Sequence, residues 1–292
     1  MEITASMVKD LRETSGAGMM DCKKALTECN GNMDEAINWL REKGIAKSAK
    51  KESRIAAEGL ANIFINDNKA VILEVNSETD FVSKNEEFIN MIDVIGHALL
   101  NSNAKTLEEA NEVETPEGKI SDYIISKVAK IGEKLSLRRF EIVEKNDDEF
   151  FGNYLHMGGK IAALTVVKGA NEEVAKDVAM QAAAMKPLYL NESEVPSDVI
   201  ENERKVQKEL AMNEGKSEEI AEKMVEGRVK KFLKDICLVD QAFIKDSDLS
   251  VEKYVANNGG EILKMVRYEV GEGMEKRNEN FAEEVMNQIN GN

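Results

Sequence analysis

The strongest constraint on this chain is that part of it occurs twice. EKLSLRRFEI (133–142) and EILKMVRYEV (261–270) align Glu133 with Glu261, Leu135 with Leu263, Leu137 with Met265, Arg139 with Arg267, Phe140 with Tyr268 and Glu141 with Glu269. The first copy, as KLSLRRFEIV (134–143), alternates with the period of a strand. Each copy follows a hairpin signal. LANIFI (60–65) and AVILEV (70–75) flank Asn66-Asp67-Asn68, and FGNYLH (151–156) and KIAALTVV (160–167) flank Met157-Gly158-Gly159. Turn residues between two β-rich runs predict a hairpin. Amphipathic helices are predicted from about Ser83, with Phe88, Met91, Ile92, Ile95 and Leu99 on one face, over roughly 117–131, and over about 171–185. Two related α+β halves, each a small antiparallel sheet covered by helices, account for the pattern.

Other segments frame these halves. In the first 45 residues three short helical patterns follow one another. Thr4 can cap the first, SGAG (15–18) breaks it, Asn30-Gly31 ends the second, and Asn32 or Asp34 opens a third that closes at Gly44. This three-helix pattern looks like a ubiquitin-associated fold. Residues 46–59 are basic and small and read as a linker, a solvated charge run in part helical. Residues 197–238 form two helical runs around Asn213-Glu214-Gly215-Lys216, with Ser217 able to cap the second. They predict an antiparallel helical hairpin inserted in the second half. A last helix is predicted near 272–289. The expected architecture is therefore α+β and mostly helical. Its parts are an N-terminal module (1–45), a linker (46–59), a core half (60–145), a second half (146–271) carrying the insertion, and a C-terminal helical module (272–292).

Composition narrows the function. With 55 acidic against 39 basic residues the net charge is −16, which disfavours a protein whose affinity rests on releasing counterions from phosphates. It suits a chain that meets protein partners. No apolar run approaches the ~18 residues of a membrane span, and MEITASMVKDL is no signal peptide. Cys22, Cys29 and Cys237 are odd in number and lack metal-ligand spacing, which places the chain in a reducing cytoplasm and implies no metal site.

Catalytic patterns fail in turn. Gly16-Ala17-Gly18-Met19-Met20-Asp21 has Asp21 where a dinucleotide loop needs its third glycine. Gly158-Gly159-Lys160 lacks P-loop spacing. The two histidines are His97, on an apolar helix, and His156, at a strand end with no nucleophile nearby in sequence. The chain reads as no enzyme and as carrying no cofactor.

One loop stands out. NSETDFVSKNEEF (76–88) places Phe81 and Val82 between a core strand and a helix. Ser83-x-x-Glu86 has the form of a capping box, which would start the helix at Ser83. Two readings remain for the apolar pair. Val82 or Phe81 could tuck against Phe88 as an imperfect hydrophobic staple. Alternatively, Phe81 is an exposed wedge beside the carboxylate of Asp80, able to enter a partner's pocket and to compete at a metal site held there.

The sequence resembles the bacterial elongation factor Ts family along essentially its whole length. The resemblance rests on LRETSGAGMMDCKKAL (11–26), TDFV (79–82), KIGEKLSLRRFE (130–141), EIAEKMVEGRVKKF (219–232) and RYEVGEGMEK (267–276). It implies a guanine nucleotide exchange factor for elongation factor Tu. Thr79, Asp80, Phe81 and Val82 would then disturb the partner's magnesium, and Met19 and Met20 would dock on its GTPase domain. YLHMGGKIA (154–162) would contact a further domain through His156, Gly158, Gly159 and Ile161, although Met157 is inserted relative to the family's usual spacing. No nucleic acid or membrane is implied, and a dimer or a heterotetramer with the partner stays open. The competing class is a non-catalytic adaptor of ubiquitin-associated type or a nascent-chain binder.

Overall fold

The computed structural model describes residues 3–15 and 17–275. In chain order the elements are α1 (Ala5–Ser15), α2 (Met19–Glu28), α3 (Met33–Ala49), β1 (Glu58–Asn66), β2 (Lys69–Ser77), α4 (Asp80–Ser83), α5 (Glu86–Leu100), α6 (Leu107–Asn111), β3 (Glu114–Thr115), β4 (Gly118–Lys119), α7 (Ile120–Ile131) and β5 (Ser136–Glu144). There follow β6 (Glu149–His156), β7 (Ile161–Lys168), α8 (Glu172–Met185), α9 (Ser197–Asn213), α10 (Glu218–Ile236), β8 (Ala242–Phe243), β9 (Asp246–Ser250), α11 (Val251–Asn257) and β10 (Glu261–Glu269). The protein is α+β, about half helical, with small sheets whose registered pairs are antiparallel.

The two larger sheets repeat one plan. The first has strand order β1-β2-β5 and the second β10-β7-β6. In each, the second strand of a hairpin lies centrally and the strand carrying the repeated motif pairs beside it. A helix follows the hairpin in both cases, α5 or α8, and another precedes the motif strand, α7 or α11. The duplicated sequence thus marks equivalent places in two sheets. The match does not extend to every contact, since Leu135 is buried and Leu263 is 39% exposed.

The described residues divide into two compact units. One comprises the chain up to Phe64, Leu73–Ile142 and the chain from Glu269 onward. In it, α1, α2 and α3 close around Leu11, Cys22, Ala25, Leu26 and Ala36. Thr4 caps α1 as expected, its hydroxyl accepting the Met7 amide at 3.3 Å, and Asn32 caps α3 by accepting the Glu35 amide at 3.2 Å. α3 does not stop at Gly44. It runs on to Ala49, with Gly44 facing α7: a Cβ there would lie 3.6 Å from Ala129, an ordinary contact distance. The basic stretch that follows is not simply solvated. Lys51 donates to the Gly132 carbonyl and Arg54 lies 3.3 Å from the Glu78 carboxylate. β2 is buried from Ala70 to Ser77, and in α5 Phe88, Met91, Ile92, Ile95 and Leu99 form the apolar face predicted for that helix.

The other unit comprises Ile65–Ile72 and Val143–Tyr268. β6 and β7 pair from Glu149↔Lys168 to His156↔Ile161. α8 packs Val174, Ala175, Val178, Ala179 and Ala182 together with Val167, Val251 and Val255. α9 and α10 pack against each other, with Val225, Val229 and Leu233 buried and Arg228 holding Glu214 at 2.9 Å. Ser217 occupies the N-cap position of α10 but makes no capping hydrogen bond. Residues 270–273 form turns, with Gly271 and Gly273 at φ 74 and 72, so no helix begins at 272. The rest of the predicted C-terminal helix lies outside the described residues. Among the described residues no helix is long and apolar enough to cross a membrane.

Candidate functional site

β2 delivers the chain from a fully buried strand into a tight turn. Ser77 Oγ donates to the Thr79 carbonyl at 2.9 Å. Thr79 is extended (φ −128, ψ 156) and occupies the N-cap position of α4, a single turn of four residues. Its hydroxyl does not cap that turn. It donates instead to Glu133 Oε1 at 2.7 Å.

The helix expected to start at Ser83 is two helices. Ser83 Oγ donates back to the Asp80 carbonyl at 2.6 Å, which closes α4. Asn85, not Ser83, caps α5: it is extended (φ −77, ψ 130) and its Oδ1 accepts the Glu87 amide at 2.8 Å. A side-chain oxygen two or three residues before a free amide is the general N-cap device, and Asn serves as well as Ser.

This geometry separates the two members of the apolar pair. Successive helical residues point about 100° apart, so Phe81 and Val82 cannot share a direction. Val82 points inward at 9% exposure and Ser83 at 4%, while Phe81 points outward at 80%. Val82 is the anchor and Phe81 is free. Asp80 lies in the same turn, its carboxylate half-exposed and 3.1 Å from the Lys84 ammonium. An exposed i,i+4 pair of this kind is worth only a few tenths of a kcal/mol, so Asp80 can exchange that partner for another at little cost.

The support behind the turn is ionic. Glu87 reaches Lys127 and Lys130 of α7, the latter at 2.7 Å. Those hydrogen bonds, with the two lysine charges, hold its carboxyl below the usual range against a smaller opposing effect of burial. Glu133 follows the left-handed Gly132 (φ 89) that ends α7, a conformation glycine adopts without cost. Its Oε2 accepts the amides of Glu78 at 3.1 Å and Thr79 at 3.0 Å. Sequence reasoning missed Glu133 as a site residue. It entered only as one member of the repeat and of the KIGEKLSLRRFE segment, and nothing local to it points to residues 54 and 55 positions earlier.

The other sequence-predicted residues lie on separate elements. Met19 and Met20 open α2, 57% and 75% exposed. The β6–β7 hairpin turns through Met157, Gly158 and Gly159, all left-handed at φ 51, 65 and 96. The Gly159 amide donates to the His156 carbonyl at 3.2 Å. His156 stacks on Tyr154, with ring centroids 6.1 Å apart, and pairs across the hairpin with the partly buried Ile161. Leu155 and Met157 at the hairpin tip are 43% and 71% exposed. Three exposed apolar features therefore stand on ordered backbone: the α2 start, the α4 turn and the hairpin tip. His97 packs its ring against Phe64 at 5.1 Å. Among the described residues no group of His, Cys, Asp and Glu is placed to hold a metal ion.

The arrangement at α4 can do one thing well. It presents an aromatic ring with a carboxylate beside it, on a turn fixed from behind. A protein-family model, that of elongation factor TS, matches residues 78–272, about two thirds of the chain. The match begins at the residue before Thr79.

Proposed function

This chain belongs to the elongation factor Ts family, and so to the translation elongation factors, and we propose that it is the guanine nucleotide exchange factor of elongation factor Tu. It binds the GTPase in its GDP form and disturbs the magnesium and phosphate pocket. Magnesium demands near-octahedral oxygen geometry, so a small displacement of its surroundings weakens it. Loss of that cation leaves the diphosphate charge less compensated. GDP then leaves and GTP replaces it. Exchange factor and nucleotide weaken each other's binding by the same factor, because coupling between two sites is reciprocal. The chain performs no covalent step and needs no cofactor.

The observation that carries this reading is Phe81, 80% exposed on a turn whose neighbours Val82 and Ser83 are buried. A ring so placed lacks a role in its own core and gains about 1.5–3 kcal/mol when it fills a partner's pocket. Asp80 brings a carboxylate to the same place. Met19 and Met20 on the three-helix, ubiquitin-associated-like module, and the hairpin at His156, Gly158, Gly159 and Ile161, add docking surface. The α9–α10 pair serves as the projecting helical hairpin. This work is done in the cytoplasm.

Stimulated release of a fluorescent GDP analogue from elongation factor Tu tests the proposal. The protein should accelerate release, and its capture of the GTPase should weaken as GDP is added. Capture indifferent to GDP, with no acceleration, would instead favour a plain adaptor.

A further inference from the structure

We propose that Glu133 is a positioning residue for nucleotide release, its carboxylate holding the Thr79–Ser83 turn so that Phe81 is presented in one orientation. The inference rests on the exchange reading above and names a residue through which that site works.

Where β2 ends, the amides of Glu78 and Thr79 leave the strand, and backbone N–H groups in such a place must find another acceptor. Glu133 supplies it. One carboxylate oxygen takes both amides, at 3.1 and 3.0 Å, and the other takes the Thr79 hydroxyl at 2.7 Å. Three donors on one anion are charge-assisted hydrogen bonds, the stronger kind. The exchange is mutual. Glu78, its side chain 5% exposed, accepts the Lys134 amide at 2.6 Å. Segments 78–79 and 133–134 are thus joined by side-chain-to-backbone bonds running in both directions.

A helical turn of four residues cannot hold its own shape, since nucleating a helix is unfavourable. Val82 and Ser83 anchor the C-terminal end of α4 by burial. At its N-terminal end the Thr79 carbonyl accepts the Ser77 hydroxyl, and the Glu133 bonds fix the Thr79 amide and hydroxyl as well. Holding both ends sets the direction of Phe81, and a direction matters for a ring that must enter something.

The test uses the full chain with elongation factor Tu. Glu133→Ala should speed amide exchange at Glu78 and Thr79 by about tenfold or more while α5 keeps wild-type protection. The rate of GDP release at saturating exchange factor should fall about tenfold, as the competent orientation becomes a minor population. A mere folding defect would lower the active concentration and leave that saturating rate unchanged. Glu133→Gln, whose carbonyl oxygen still accepts both amides, should recover most of the rate. Combined with Phe81→Ala, Glu133→Ala should add nothing, because both act through one ring. Unchanged protection at residues 78 and 79, an unchanged saturating rate, or full additivity with Phe81→Ala each overturns the proposal. A wild-type rate for Phe81→Ala alone marks the failure of the exchange reading itself, and this inference falls with it. Should Glu133→Ala loosen α5 as well, Thr79→Val removes only the hydroxyl donor. It must slow saturating release with α5 protection intact, and a wild-type rate there overturns the proposal.

Discussion

Glu74, with no solvent exposure, accepts a hydrogen bond from Arg139 Nε at 2.6 Å. The same carboxylate takes Arg138 at 3.0 Å and the Gly271 amide at 2.9 Å. A buried charge is tolerated only when paired and hydrogen-bonded, and removing one side of such a network leaves the rest uncompensated. Burial pushes the Glu74 carboxyl up, but the Gly271 amide, Arg138, Arg139 and Asn76 together outweigh it and hold its pKa below the ordinary value. A carboxyl depressed in the folded state stabilises the fold above its unfolded pKa of about 4.3 and loses that contribution as pH falls through the folded value. Thermal unfolding from pH 7 to pH 3 should therefore show stability falling below about pH 4.3. Glu74→Gln should be less stable at pH 7, on the order of 3 kcal/mol, with a flatter acid limb.

Met157 sits at φ 51, a left-handed conformation that costs a side-chain-bearing residue about 1 kcal/mol. Its side chain is 71% exposed and contributes little to its own fold. Met157→Gly should raise the unfolding temperature slightly while weakening capture of elongation factor Tu. Calorimetry and a binding titration of the same variant check both halves. Unchanged affinity would remove the hairpin tip from the docking surface.

The thiols should differ in reactivity. Cys22 and Cys237 are buried and Cys29 is partly exposed. Burial, with the charges of Asp240, Glu192 and Glu194, raises the Cys237 thiol to about 11. Burial and neighbouring glutamates raise Cys29 as well. A disulfide reagent at pH 8 should therefore modify Cys29 first and slowly, with Cys22 and Cys237 reacting only after denaturation. Rapid modification of Cys237 would show that the α10 end opens readily.

Release of GDP should depend less on this protein once the metal is gone. With magnesium chelated by EDTA the spontaneous rate rises, so the fold stimulation by saturating exchange factor should shrink. Stimulation undiminished by EDTA would remove magnesium from the mechanism.

Much of this molecule was legible because its signals are local or repeated. Asn66-Asp67-Asn68 and Met157-Gly158-Gly159 mark hairpins, and Asp67 and Met157 do adopt left-handed backbone. The repeated motif occupies matching strands, β5 and β10. Misreadings occurred where a distant contact overrode a local signal. Gly44 has the form of a helix stop, but α3 continues through it with that residue facing Ala129 of α7. Ser83 looked like a cap, but its hydroxyl closes the preceding turn. Short elements such as α6, β8, β9 and α11 have too few residues to show a period. At the site, an apolar residue in a polar loop was visible, but which of two neighbours faced outward was not. That depends on the phase of α4, and the phase depends on partners from the far end of α7.

The most direct measurement is GDP release from elongation factor Tu at saturating Phe81→Ala. Because the ring is 80% exposed, the variant should unfold at the wild-type temperature and still bind the GTPase. Its maximal rate of release should nevertheless fall by about tenfold or more, the loss typical of a central contact residue. A maximal rate equal to wild type, from a variant that binds, would contradict the account.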